Sequence, residues 1–279
     1  MRHALSIDLE EFFQIHALSD VIKEESWHTF PSSVEGNTEK ILELLELHGI
    51  TATFFCLGWI AQRHPALIRR IHDKGHEIGC HGFSHQVIYH QDRQTFFADV
   101  SKAKKVLEDI TGSPVIGYRA PTYSITKKTI WAIEILESLG FRYDSSIFPI
   151  YHDNYGIPDA PRLPHLIEGT GMVEFPISTL TVGKFNMPIS GGGYFRLFPY
   201  LITKAALKAM EERNEPFVFY IHPWEFNPET PRIEGMSLFS RFRTYVGISR
   251  THKRFSALIV DFSFTTVARV LEDLGLLAP

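Results

Sequence analysis

The sequence predicts an α/β fold, a parallel sheet covered by helices and either open or closed into a barrel, on three observations. Short apolar runs rich in Phe, Ile and Val alternate with amphipathic helical segments. Each helical segment stops at a Gly or Asn just before the next run. Polar residues capable of chemistry recur where the runs end, and in parallel αβ folds the carboxyl ends of the strands form one rim whose loops build active sites. At 279 residues and 44% hydrophobic content, the chain suits one large single-core domain, and about 250 residues is typical of a TIM-like barrel.

Taken in order, "MRHALSIDLEEFF" opens with a strand-like run ending in Asp8 and Glu10. "NTEKILELLELHG" reads as a helix with Asn37 as candidate N-cap, and "ITATFFCLG" as the next strand. The unit repeats in "PALIRRIHDKG" with "HEIGCHG", in "RQTFFADVSKAKKVLEDITG" with "PVIGYRAP", and in "KKTIWAIEILESLG" with "FRYDSSIF". A later unit couples "LITKAALKAMEERN" to "PFVFYIHPW", and "TTVARVLEDLG" forms a final helix. Residues 150–196 are Pro- and Gly-rich but carry strand-like "GMVEFPIS" and "STLTV", so they read as elaborated loops over one face, not a boundary between domains.

The formal charge of −4 provides no overall basic field, which disfavours nucleic acid and anionic lipid as partners. No uninterrupted 18-residue apolar run and no signal-peptide core are present, so a soluble, cytoplasmic protein without membrane insertion is expected. Cys56 and Cys80 lie in apolar runs and read as buried reduced thiols; Trp27, Trp59 and Trp131 read as core, whereas Trp224 is a candidate pocket-lining residue.

Two histidine pairs share a four-residue spacing. His81 and His85 in "HGFSH" follow a strand, whereas His72 lies on a helix and His76 opens a strand, at the opposite, structural end. Two neutral imidazoles with one carboxylate make a divalent-metal site suited to zinc, with iron or cobalt also fitting. Side chains alternate along a strand, so Asp8 and Glu10 face one way and Glu11, read as a solvated or structural carboxylate, the other. One of the first two can bind metal and the other take a proton. Arg119, ending "VIGYR", can hold the base carboxylate, and Asp144, ending "FRYD", can orient His222, ending "FVFYI", as a proton donor. Singly, such residues are commonly caps, surface ion pairs or core histidines; their coincidence on one rim points to metal-assisted hydrolysis with separate base and acid.

Over roughly residues 3–226 this set resembles the polysaccharide deacetylases, the NodB-homology or carbohydrate esterase family 4 enzymes. "SIDLE", "HGFSH", "RAPTY", "YDSS" and "YIHPW" stand in the order of the family's five motifs, and the tail, with "SGGGYFRLFP" and "HPWEFNPETPRI", resembles the branch associated with bacterial exopolysaccharide and exosortase gene clusters. The resemblance implies a deformed (β/α) barrel of about seven parallel strands, a catalytic domain over 1–226 and a C-terminal extension over 227–279 packed on it. It implies removal of N-acetyl groups from hexosamine units. By motif, Asp8 is the general base, Glu10, His81 and His85 the metal triad, Arg119 the tether of Asp8, Asp144 the partner of His222, and His222 the general acid. A backbone N–H near Thr122 would hold the oxyanion, with Tyr123 and Trp224 beside the substrate. The family's adjacent Asp pair is here Asp8-Leu9-Glu10-Glu11, so the third ligand is Glu10, Glu11 or Asp8, and alternation favours Glu10. The family's Arg-Pro-Pro-Tyr is here Arg119-Ala120-Pro121-Thr122-Tyr123, which moves the aromatic by one place. Two other readings stand beside this one: a cyclic-amide hydrolase acting on compounds such as allantoin, and an inactive carbohydrate-binding or assembly protein.

Overall fold

The computed structural model describes residues 1–152 and 155–278. Asp153 and Asn154, in the stretch expected to be loop, and Pro279, ending the expected extension, lie outside them. The strands are β1 (His3–Leu9), β2 (Thr53–Cys56), β3 (Glu77–Cys80), β4 (Gly117–Tyr118), β5 (Tyr143–Asp144), β6 (His165–Leu166), β7 (Val173–Glu174), β8 (Thr179–Val182), β9 (Phe185–Pro188), β10 (Val218–Ile221) and β11 (Phe264–Thr265). The helices are α1 (Val34–Leu47), α2 (Gly58–Arg63), α3 (Pro65–Asp73), α4 (Arg93–Thr111), α5 (Ala132–Ser138), α6 (Gly192–Leu197), α7 (Tyr200–Glu212), α8 (Leu238–Tyr245), α9 (Thr251–Asp261) and α10 (Val267–Asp273).

β10, β1, β2, β3, β4, β5 and β7 run side by side and all parallel, with antiparallel β6 at the far edge and β11 added to the start of β1. This is the expected seven-strand parallel sheet, curled into part of a barrel. Between β7 and β10 no ladder forms. The gap is spanned instead by an isolated bridge, Gly191 to Tyr220, and by the Val218 N–H donating to Ser178 Oγ at 2.9 Å. A Cβ at Gly191 would lie 2.0 Å from the Tyr220 carbonyl oxygen, so glycine alone permits this approach.

The alternation along β1 sorts the core. Leu5, Ile7 and Leu9 join Ile41, Leu45, Leu67, Phe96 and Leu207 of the covering helices, while Ala4 packs inside with Phe55, Tyr143, Val173 and Tyr220, closed off by Val267, Val270 and Leu271 of α10. Each such fully buried aliphatic or aromatic side chain contributes about 1.5–3 kcal/mol. Asp8 shares the inner phase of β1 with Ala4 and Ser6. Cys56 and Cys80 are opposite one another on β2 and β3, both free and buried; burial pushes the Cys80 thiol up to about 12. Trp27 is buried, and Trp59 and Trp131 pack half-buried against the core.

Helix α1 corrects one expectation. It starts at Val34 with Ser33 at the cap position, and Asn37 lies a turn inside. The reason is distant in sequence: the Glu11 carboxylate accepts the N–H groups of Ser33 (2.8 Å) and Val34 (3.0 Å) and the Ser32 hydroxyl (2.5 Å). A buried carboxylate at a helix N-terminus satisfies donors left open by the first turn and faces the positive end of the macrodipole.

Candidate active site

The carboxyl-terminal rim opens into a cleft of about 550 Å³ lined by Asp8, Glu10, His81, His85, Thr122, Tyr123, His222 and Trp224 among others. On one wall, Glu10, His81 and His85 bring one ligand atom each within 4.8 Å of one another. His85 Nε2 stands 2.8 Å from Glu10 Oε2. His81 Nδ1 lies 2.7 Å from the Arg119 carbonyl oxygen, which turns its other nitrogen toward the cluster, as an outer carbonyl does for metal-bound histidines. Burial, with His85 adding to it, pushes His81 down to about 3, so the ring is the neutral imidazole that metals bind. Burial opposes the charge on Glu10, yet its three histidine neighbours, His85 foremost, hold its carboxyl below the usual range. Two imidazoles, one carboxylate and an open cleft are the donor set of a catalytic divalent metal.

The loop that carries both histidines is fixed from outside. Asp99 of α4 accepts the Phe83 N–H at 2.8 Å and the Ser84 hydroxyl at 3.2 Å. The first N–H groups of α2, from Gly58 and Trp59, donate to the Gly82 and Phe83 carbonyls at 2.9 and 3.0 Å. Gly82 has φ +75, and His85 itself takes φ +54. Of the four non-glycine residues with positive φ among those described, three are at this rim: His85, Thr122 and Tyr123. For β-branched Thr122 that conformation is a strained one, the kind of strain that gathers at functional sites.

Opposite the triad, Arg119 is fully buried and donates to Asp8 Oδ1 at 2.8 Å, to Ser6 Oγ at 2.6 Å and to the Ser145 carbonyl at 2.9 Å. Burial alone would weaken its charge; the Asp8 carboxylate outweighs that and raises it. His222 follows β10 with Nε2 at 3.8 Å from both Asp8 and Glu10. Trp224 is buried, donates its indole N–H to Glu10 Oε1 at 3.1 Å, and stacks on the His222 ring. It therefore holds a candidate ligand as well as lining the cleft.

Asp144 is placed differently from the expectation. Its partners are Ser146 Oγ at 2.5 Å and Glu174, while the carboxylates facing His222 are Glu225, Asp8 and Glu10. The cause is strand register: Asp144 and Glu174 are opposite residues of parallel β5 and β7. Burial raises both carboxyls, Glu174 the more strongly, with the facing Asp144 adding to the rise in Glu174. Through Ser146 Oγ, which accepts the Ala120 N–H at 2.7 Å, the pair braces the turn behind Arg119.

The residue at His222 is Glu225, which sequence reasoning missed. It lies 3.5 Å from His222 Nδ1, accepts the His222 backbone N–H at 3.2 Å, and is gripped by Arg196 Nε at 2.7 Å. Arg196 also binds the carbonyls of Thr244 and Val246 at 2.8 Å each, so it ties this corner to the C-terminal helices. Burial works against both charges, but Arg196 holds Glu225 down at about 2, and Glu225, Glu10 and Asp8 raise His222 to about 9. Two signals were present in the sequence: an acid three residues after His222 at capping-box spacing, and a single Arg inside the apolar "GGGYFRLF".

Known proteins share this architecture and these segments. Residues 20–143 match the polysaccharide deacetylase family profile, and residues 145–272 match a domain of unknown function, DUF3473. A peptidoglycan-N-acetylglucosamine deacetylase of Bacillus cereus is 33% identical over 98 residues, 35% of this chain and 36% of that protein. The peptidoglycan-N-acetylmuramic acid deacetylase PdaA of Bacillus subtilis is 27% identical over 135 residues, 48% of this chain and 51% of that protein. The chain thus spans about half or less of these relatives. Among solved structures, one from Mycobacterium smegmatis assigned to the polysaccharide deacetylases superposes with TM-score 0.64 at 22% identity, over 99% of this chain and 91% of that one. Puue allantoinase shares the fold with TM-score 0.54 at 19% identity, over 85% and 71%. The likeness to the polysaccharide deacetylase family thus falls on the segment that carries the histidine loop.

Proposed function

We propose that the protein is a divalent-metal hydrolase that removes N-acetyl groups from N-acetylhexosamine units of a bacterial polysaccharide, such as an exopolysaccharide, or of its precursor, with zinc as the preferred metal and iron or cobalt as substitutes. The observation that carries this reading is the meeting of a three-donor cluster, an Arg-held carboxylate and a histidine facing both in one cleft. The named activities of the Bacillus cereus and Bacillus subtilis relatives support it.

Glu10, His81 and His85 would hold the cation, which when bound lowers the pKa of water to about 7 and polarises a carbonyl. Asp8, held and aimed by Arg119, takes the proton of the attacking water. The Thr122 N–H faces the developing oxyanion, since the Tyr123 N–H is already engaged by the Ala120 carbonyl at 3.0 Å. His222, charged at neutral pH and oriented by Glu225, delivers a proton to the departing amine, so the products are acetate and a free amino sugar. Tyr123 and Trp224 border the sugar. We place the catalytic unit at residues 1–226 and treat 227–279 as an extension packed on it; pairing of β11 with β1 and the grip of Arg196 on the Thr244 and Val246 carbonyls support that packing.

The test is acetate release from N-acetylhexosamine oligomers alongside elemental analysis, for wild type and Asp8→Asn. Near-stoichiometric metal in both, with acetate release lower by roughly 10²–10⁴-fold in the variant, is expected. Metal without acetate release in the wild type overturns the substrate and directs the assay to cyclic amides; no metal after zinc is supplied overturns the mechanism.

A further inference from the structure

Helix α8, LFSRFRTY, is amphipathic the wrong way round for a helix that packs on a core. Its buried residues are Thr244 and Tyr245, while Leu238, Phe239 and Phe242 are 83%, 69% and 55% exposed. Three large apolar side chains on two turns of one helix form the kind of exposed patch that marks an interaction surface. The patch is at the cleft mouth: Phe239, Phe242 and Arg243 line it together with Tyr151 and Leu197, which are also exposed.

Charge identifies the occupant. Residues 236–260 carry five of the chain's 28 Lys and Arg and none of its 32 acids, in a protein whose formal charge is −4. Arg241 and Arg243 interleave with the exposed apolar residues, and Arg250 and Lys253 follow, all four exposed. Arg254 alone turns inward, to the Phe195 and Arg196 carbonyls. A net negative charge spread over the rest of the surface is screened beyond about 8–10 Å, so this local field is what an approaching surface meets. Phe and Leu beside Arg and Lys on a short helix fit the boundary between headgroups and acyl chains of an anionic bilayer.

We propose that α8 and the segment after it dock peripherally on an anionic membrane surface, with the cleft opening at the lipid boundary. If the deacetylase reading holds, the substrate is then an acetamido sugar presented at the membrane, for instance on a lipid carrier; that consequence rests on the reading above, whereas the docking does not.

The experiment is vesicle flotation of the full chain with phosphatidylcholine alone and with equimolar phosphatidylcholine and phosphatidylglycerol, at low and high salt. Wild type is expected to float with the anionic vesicles at low salt only. Arg241→Ser is expected to weaken binding about fivefold, and Leu238→Ser to weaken it further, with melting temperature and acetate release from a soluble oligomer unchanged in both, since neither residue lines the cleft. Absence of flotation with anionic vesicles overturns the proposal, as does flotation that is indifferent to lipid charge or to both substitutions. Loss of soluble-oligomer binding in Phe239→Ser without any vesicle binding would make this face a sugar platform instead. A protein that floats as expected but releases no acetate refutes the deacetylase reading and leaves the docking standing.

Discussion

Two histidine pairs with the same spacing sit at opposite ends of the same strand, and they have nothing else in common. His81 and His85 follow β3 on a loop pinned by Asp99 and α2, and meet Glu10 on one wall of the cleft. His72 is on α3 beside Ser113, and His76 precedes β3, where its Nδ1 accepts the Ala52 N–H at 3.2 Å and its ring packs on Phe54. The difference teaches that spacing brings two imidazoles into proximity but the end of the strand decides their use: the carboxyl end opens to a cleft with other donors, and the amino end is closed by α10.

The largest expected effect breaks that contrast. His81→Ala is expected to abolish stoichiometric metal and reduce acetate release to background, whereas His72→Ala leaves both intact; elemental analysis with the acetate assay checks this. His76→Ala should retain metal yet lose about 1–3 kcal/mol of stability, because the buried Ala52 N–H loses its acceptor, as urea unfolding would show. Trp224→Phe removes the indole donor from Glu10 and should weaken metal affinity about 10–100-fold, read by competition with a chelating dye.

Glu11→Gln sharpens the comparison between neighbouring carboxylates. It is expected to cost about 1–2 kcal/mol through the weakened cap of α1, with metal content unchanged. The smallest effect is in acid. Burial lowers His3 and His76 to about 4, against about 6.5 unfolded, so between those pH values the unfolded chain binds more protons and stability falls as pH falls. His3→Phe, whose ring would replace an imidazole already stacked on Phe217 at 3.7 Å, should flatten that acid limb in urea midpoints measured across the window.

The parallel sheet was legible because Gly and Asn stops punctuate apolar runs, and the positions of Asp8, Glu10, His81, Arg119 and His222 were legible because each follows such a run. What escaped was set by register and by distance. The partner of Asp144 depends on β5 lying beside β7 with a 30-residue excursion between them, and no local pattern encodes that pairing. Glu225 was in view three residues from His222, but its charge is fixed by Arg196, 29 residues upstream. The Asn37 cap failed for the same reason, since Glu11 reaches it from another element.

The placement of β10 against β1 bears on the order in which the protein is made. Glu10, His81 and His85 leave the ribosome within the first third of the chain, whereas Trp224 meets Glu10 across 214 residues and His222 arrives with it. Closing so long a loop is entropically costly and pairings of high contact order form late. On the function proposed above, a nascent chain would acquire its cation well before it has a proton donor, and hydrolytic competence would begin only when the last third of the polypeptide docks beside the first strand.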